Sequence, residues 1–109
     1  MKGKNMNIIS ARDGTTLTVS LEGRLDTVSA PRLESVLRDA YEETELLVFD
    51  LGRLTHISSA GLRILLSARK AMEQRGRMVI RRVRPEVMKI FEVIGFVNIL
   101  NIETGEEVE

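Results

Sequence analysis

The chain has 109 residues, 43% of them hydrophobic and 29% charged, a balance that predicts one soluble folded domain and excludes a disordered chain. Sixteen basic side chains cancel sixteen acidic ones, which argues against nucleic acid as a partner. Cysteine is absent, so disulfides, thiol nucleophiles and thiolate metal sites are excluded.

The start, Met1 to Asn7, is polar, and no run approaches the roughly 18 apolar residues that span a bilayer. The expectation is a cytoplasmic protein with no membrane contact. Residues 7–12, with Ile8 and Ile9, precede Asp13-Gly14, a dipeptide suited to a hairpin turn, and predict a first strand. In residues 17–22, Leu17, Val19 and Leu21 alternate with Thr18, Ser20 and Glu22, the period of a strand with one covered face. From about Thr27 the period becomes helical through Ala30, Leu33, Leu37, Ala40 and Tyr41. Thr27 and Ser29 are the candidate caps, and Pro31 is tolerated in the first turn.

The apolar run 46–51, ending Phe49-Asp50-Leu51, predicts a central strand, with a loop over 52–58 leaving its carboxyl end. A helix over 59–75 should bury Leu62, Leu65, Leu66 and Met72 and end on Gly76 as a left-handed cap. Ile64 and Ala68 lie off that stripe, where they would face a protein partner. A strand over 78–83 follows, then a helix opened by Pro85 and closed by Gly95, a possible short strand within 96–102, and an acidic tail over 103–109. The order β-β-α-β-α-β-α, with a possible closing strand, predicts a single α/β domain whose strands near 17–22, 46–51 and 78–83 run parallel.

The stretch Thr55-His56-Ile57-Ser58-Ser59-Ala60-Gly61-Leu62 carries the main functional signal. Two hydroxyls stand where a helix begins, and one cap needs only one of them. Gly61, inside the first turn, costs about 0.5–1 kcal/mol relative to alanine and marks a close approach by some other group. A phosphate on either serine would add about −1.5 to −2 charges beside unpaired backbone N–H groups. Other chemistries fit less well. The flanking residues lack a nucleophile elbow, and His56 is the only histidine, too close along the chain to form a triad and alone too few for a metal site. Asp26 and Asp50 each end a hydrophobic strand segment, where they add negative potential or coordinate a cation, or serve as turn aspartates bonded to nearby backbone. Arg81-Arg82-Val83-Arg84 reads as solvated charge at a strand end.

Three motifs, Gly23-Arg24-Leu25-Asp26, Leu47-Val48-Phe49-Asp50-Leu51 and Ile57-Ser58-Ser59-Ala60-Gly61-Leu62-Arg63, resemble those of STAS-domain anti-sigma factor antagonists over about residues 7 to 102. The resemblance implies a non-enzymatic switch without cofactor or metal. Its partners would be an anti-sigma factor serine kinase, bound by the unphosphorylated form, and a PP2C-type phosphatase that removes the phosphate. It implies Ser59 as phosphate acceptor with Ser58 as the alternative, and a partner surface including Asp26, Asp50, Ser58, Gly61, Leu62, Ile64 and Ala68, on a monomer or weak dimer. Ser58 departs from the family pattern, which commonly has aspartate there. That departure supports a second reading, a non-switching STAS subunit of a larger assembly such as a stressosome-like scaffold or a lipid-transport complex.

Overall fold

A computed structural model describes residues 6–103. Five strands form one sheet in chain order: β1 (Met6–Asp13), β2 (Thr16–Leu25), β3 (Leu46–Ile57), β4 (Arg77–Arg81) and β5 (Ile102–Glu103). The pair β1–β2 is antiparallel, through a turn at Gly14-Thr15 with Gly14 at φ 65°, and every other pair is parallel. Helices α1 (Ala30–Arg38), α2 (Ser59–Met72) and α3 (Pro85–Val93) make the crossovers. Because the strands advance steadily in one direction, right-handed crossovers place the helices on the same face of the sheet. Leu17, Val19, Leu21, Leu47, Phe49 and Ile80 from that face join Leu33, Leu37, Leu65, Val87 and Phe91 from the helices in a single core.

The expected element order holds, with local corrections. Residues 52–58 are not a loop: β3 runs 12 residues and pairs with β2 as far as Leu25–Ile57. Two register shifts occur, between Ser20 and Glu22 and between Gly23 and Arg24, and in each β3 holds one more residue than β2. Each is a bulge, which bends a strand without ending it. Leu51, Leu54 and Ile57 therefore all reach the core at intervals of three.

Helix α1 begins at Ala30, later than Thr27, and stops at Arg38, so Ala40 and Tyr41 fall outside it, Tyr41 in a single 3-10 turn. Neither proposed cap acts as one: the Ser29 hydroxyl donates to the Arg24 carbonyl at 2.8 Å and makes no cap bond. Helix α2 ends at Met72. Gly76 is not left-handed. It precedes β4 and lies beside Glu45, where a Cβ would overlap the Glu45 carbonyl, so the glycine serves close approach and not a cap. Gly95 does close α3 in the left-handed region, at φ 82°. Phe96–Asn98 form a 3-10 turn in place of the start of a strand, which is confined to Ile102–Glu103. Glu103 pairs with Arg81 at 3.1 Å; the remainder of the acidic tail lies outside the described residues.

Candidate functional site at the start of helix α2

The site is built where β2 and β3 end together. The Ser58 N–H donates to the Leu25 carbonyl at 2.9 Å, and the Leu62 N–H donates to the Ser58 carbonyl at 2.9 Å, the first helical bond of α2. Ser58 is thus the N-cap residue by backbone, extended at φ −99°, ψ 178°, yet its side chain caps nothing. Its Oγ is buried and has no hydrogen-bond partner among the described residues. Ser59, the first helical residue, is exposed. The two hydroxyls, adjacent in sequence, therefore occupy opposite environments: one is inside and idle, the other is in solvent.

Gly61 explains how the helix comes so close. A Cβ there would lie 2.6 Å from Leu25 Cγ and 2.9 Å from Ile57 Cγ1, both in the core. The room that Gly61 leaves is filled by this chain's own strand ends, so Gly61, which is buried, offers no surface to a partner. Ile64 and Ala68, expected on a partner surface, are also buried, at 8% and 0% exposure. Helix α2 packs against both the sheet and α1, and its inward face runs through Gly61, Ile64, Leu65, Ala68 and Met72. Leu62 is partly buried against that core, whereas Leu66, expected inside, is exposed.

Asp26 sits in the turn that follows Leu25, next to the serine end of β3. Its Oδ1 accepts from the N–H groups of Val28 and Ser29, each at 3.1 Å. The Ser29 backbone bond, more than any other contact, holds the Asp26 carboxyl below its ordinary range. This is a turn aspartate, the plainer of the two expectations. Asp50 lies elsewhere, at the last β3–β4 pair, Asp50–Arg81. The strand between it and Ile57 covers roughly 20 Å at the usual rise per residue, so Asp50 does not share the serine site. It accepts both Nε and a terminal nitrogen of Arg82 at 3.0 and 3.1 Å, and the Gly52 N–H at 3.0 Å. Arg82 adopts φ 60° and lays its guanidinium over Gly52, where a Cβ would meet it at 2.8 Å.

His56 stands opposite Arg24 across the β2–β3 pair. Among the described residues no group of three or more His, Asp or Glu side chains is placed to hold a metal ion, and no helix is long and apolar enough to cross a membrane. Two residues not singled out in the sequence border the site. Val28, 75% exposed, tops the Asp26 turn. Arg63 is exposed one helical turn beyond Ser59 and forms no ion pair among the described residues. The signal for Val28 was an apolar residue in a turn; for Arg63 it was the spacing of four from Ser59.

The STAS-domain profile matches residues 7–108. This chain belongs to the STAS-domain family. The BtrV protein of Bordetella bronchiseptica, named as a candidate anti-sigma factor antagonist, is 37% identical over 93 residues, covering 84% of this chain and 80% of its own. The crystal structure of an anti-sigma factor antagonist from Mycobacterium paratuberculosis superposes with a TM-score of 0.83 at 19% identity, over 94% of this chain and 89% of that one. The Bacillus cell fate determinant SpoIIAA in its phosphorylated form gives 0.73 at 20% identity, over 93% and 95%. These two structures share the fold, a mixed sheet under helices. The curated relative carries the antagonist description.

Proposed function

We propose that this STAS domain is an anti-sigma factor antagonist: its unphosphorylated form binds an anti-sigma factor serine kinase and frees a sigma factor, and phosphorylation of Ser59 abolishes that binding. A PP2C-type phosphatase restores the active form. The observation that carries the reading is the contrast between the two hydroxyls. Ser59 is exposed on the first turn of a 14-residue helix, while the Ser58 Oγ is buried. Of the two candidates only Ser59 is accessible to a kinase. The antagonist name of the Bordetella relative and the phosphorylated state of the solved SpoIIAA structure support the same reading.

The physics of such a switch is local. A phosphate at the start of a helix is favourable to the helix by about 0.3–1 kcal/mol at an exposed site, so the fold tolerates it. A close partner interface does not. A dianion there must be desolvated or set against like charge, and each 1.4 kcal/mol or so lost is about tenfold in affinity. The partner surface consistent with the burial pattern is the rim around Ser59, with Val28, the Asp26 turn and the exposed part of Leu62, not Ile64, Ala68 or Asp50.

The test is incubation with the cognate kinase and ATP, followed by mapping of the phosphate by mass spectrometry. Modification of Ser59 is expected; a stable complex that kinase and ATP leave unmodified would select the non-switching subunit, which Ser58 in place of aspartate favours. Ser59→Glu is expected to weaken kinase binding at least about tenfold while leaving the melting temperature nearly unchanged.

A further inference from the structure

One feature of the helix start remains unused by the reading above: Arg63, beside the exposed Ser59, has no ionic partner among the described residues. Ser59 and Arg63 are four residues apart on α2. Residues at that spacing are surface neighbours, with Cβ atoms about 5–6 Å apart, and an arginine side chain spans that gap easily.

We infer that Arg63 is the receptor, within the same chain, for a phosphate on Ser59: its guanidinium holds the phosphate against the surface of α2 as a charge-assisted, forked pair. The inference rests on Ser59 being the phosphorylated residue. Three lines of geometry support Arg63 for the role. First, it is the cation at the right spacing and on the accessible side. It borders the groove between α1 and α2 with Thr27, Ala60 and Glu34, and Glu34, the carboxylate on the facing helix, does not engage it in an ion pair. Second, the other basic side chains near the strand ends are placed differently. Arg24 lies 4.0 Å from the Asp26 carboxylate, and His56 sits on β3 across from Arg24. Third, the Ser58 side chain is turned inward, so it does not compete for the first-turn N–H groups toward which the forked pair would hold the phosphate.

A guanidinium is suited to this task because its planar fork matches two phosphate oxygens at once and stays charged at every relevant pH. The expected consequence is a phosphoserine whose dianion is stabilised. Its second ionisation, ordinarily near pH 6, falls.

The test installs phosphoserine at position 59 by genetic encoding, which needs no cognate kinase, and follows the phosphate by 31P NMR across pH 4–9. Phosphorylated Arg63→Gln is expected to ionise about 0.3–0.7 pH units higher than the phosphorylated wild type, as for a surface ion pair, and the difference should shrink in 1 M salt. Arg63→Lys should recover part of the shift, a point charge replacing a fork. The unphosphorylated Arg63→Gln protein should melt with the wild type, showing an intact fold. Identical phosphate titrations in wild type and Arg63→Gln would overturn the inference and leave the Ser59 switch standing. Conversely, a kinase that ignores Ser59 would sink the switch without touching this measurement.

Discussion

The two ends of the second half of β3 differ in how completely their polar groups are used. At the Asp50 end every charge is engaged: Asp50 takes two nitrogens of Arg82 and one backbone N–H, and Arg81 and Arg84 pair with Glu103 and Glu86 at 3.1 and 3.0 Å. At the serine end the Ser58 hydroxyl is without a partner, and Arg63 is without a counter-ion among the described residues. Both ends hold a motif residue and a glycine. Saturated polar groups hold a backbone path; an unpaired and exposed one such as Arg63 is available to another molecule, whereas the buried Ser58 hydroxyl is not. Asp50 is therefore read as architecture despite its place in a recognisable motif.

The comparison is most strongly tested at the glycines. Gly61→Val should cost about 3 kcal/mol or more, because its branches would press into Leu25 and Ile57, which are 0% and 2% exposed; chemical denaturation measures it. A small loss would mean that the serine end is loosely packed. Next comes the Asp50–Arg82 pair. Since Arg82 is half exposed, Asp50→Ala should lower stability by only about 0.5–1 kcal/mol and, under the proposed function, leave affinity for the kinase unchanged; a drop in affinity would return Asp50 to the functional surface. At position 82 itself, Gly should be more stable than Ala by about 1 kcal/mol, since the backbone there is left-handed.

Smaller still is Ser58→Ala. Replacing an N-cap serine usually costs about 1 kcal/mol, but here the hydroxyl caps nothing, so the melting temperature should stay level or rise. The least effect comes from pH. The Asp26 carboxyl is held below its ordinary range by the Ser29 N–H. Its contribution to stability is complete above the unfolded value near pH 3.9 and is lost as pH falls through the lower folded value. Asp26→Asn should therefore flatten the acid limb of the stability curve slightly, and NMR titration of the Asp26 carboxyl should show a midpoint below about 3.9.

Most of the architecture was legible in the sequence because the apolar periods of β2, α1 and α3 are regular and Gly14, Pro85 and Gly95 punctuate them. What was missed has two physical sources. The bulges in β3 break the two-residue period, so Leu51, Leu54 and Ile57 at spacings of three resemble a loop. In α2, small residues occupy inward positions: Gly61 and Ala68 attract little notice in a hydrophobic count, which rotates the apparent stripe toward Leu62 and Leu66 and away from Ile64. The serine site was visible as a pair of hydroxyls. Which of them faces solvent depends on backbone direction at Ser58, and that is set by its bond to Leu25, 33 positions earlier in the chain.

That bond has a temporal consequence. The Ser58 N–H is tied to β2 and Gly61 is seated on Leu25 and Ile57, so the start of α2 is anchored to the sheet on both sides of Ser59. Under the proposed function, the modified and unmodified proteins would share one shape, with no relaxation to wait for and no hysteresis between them. All memory of the signal would then reside in a single phosphoester bond, and its lifetime would be the lifetime of the message.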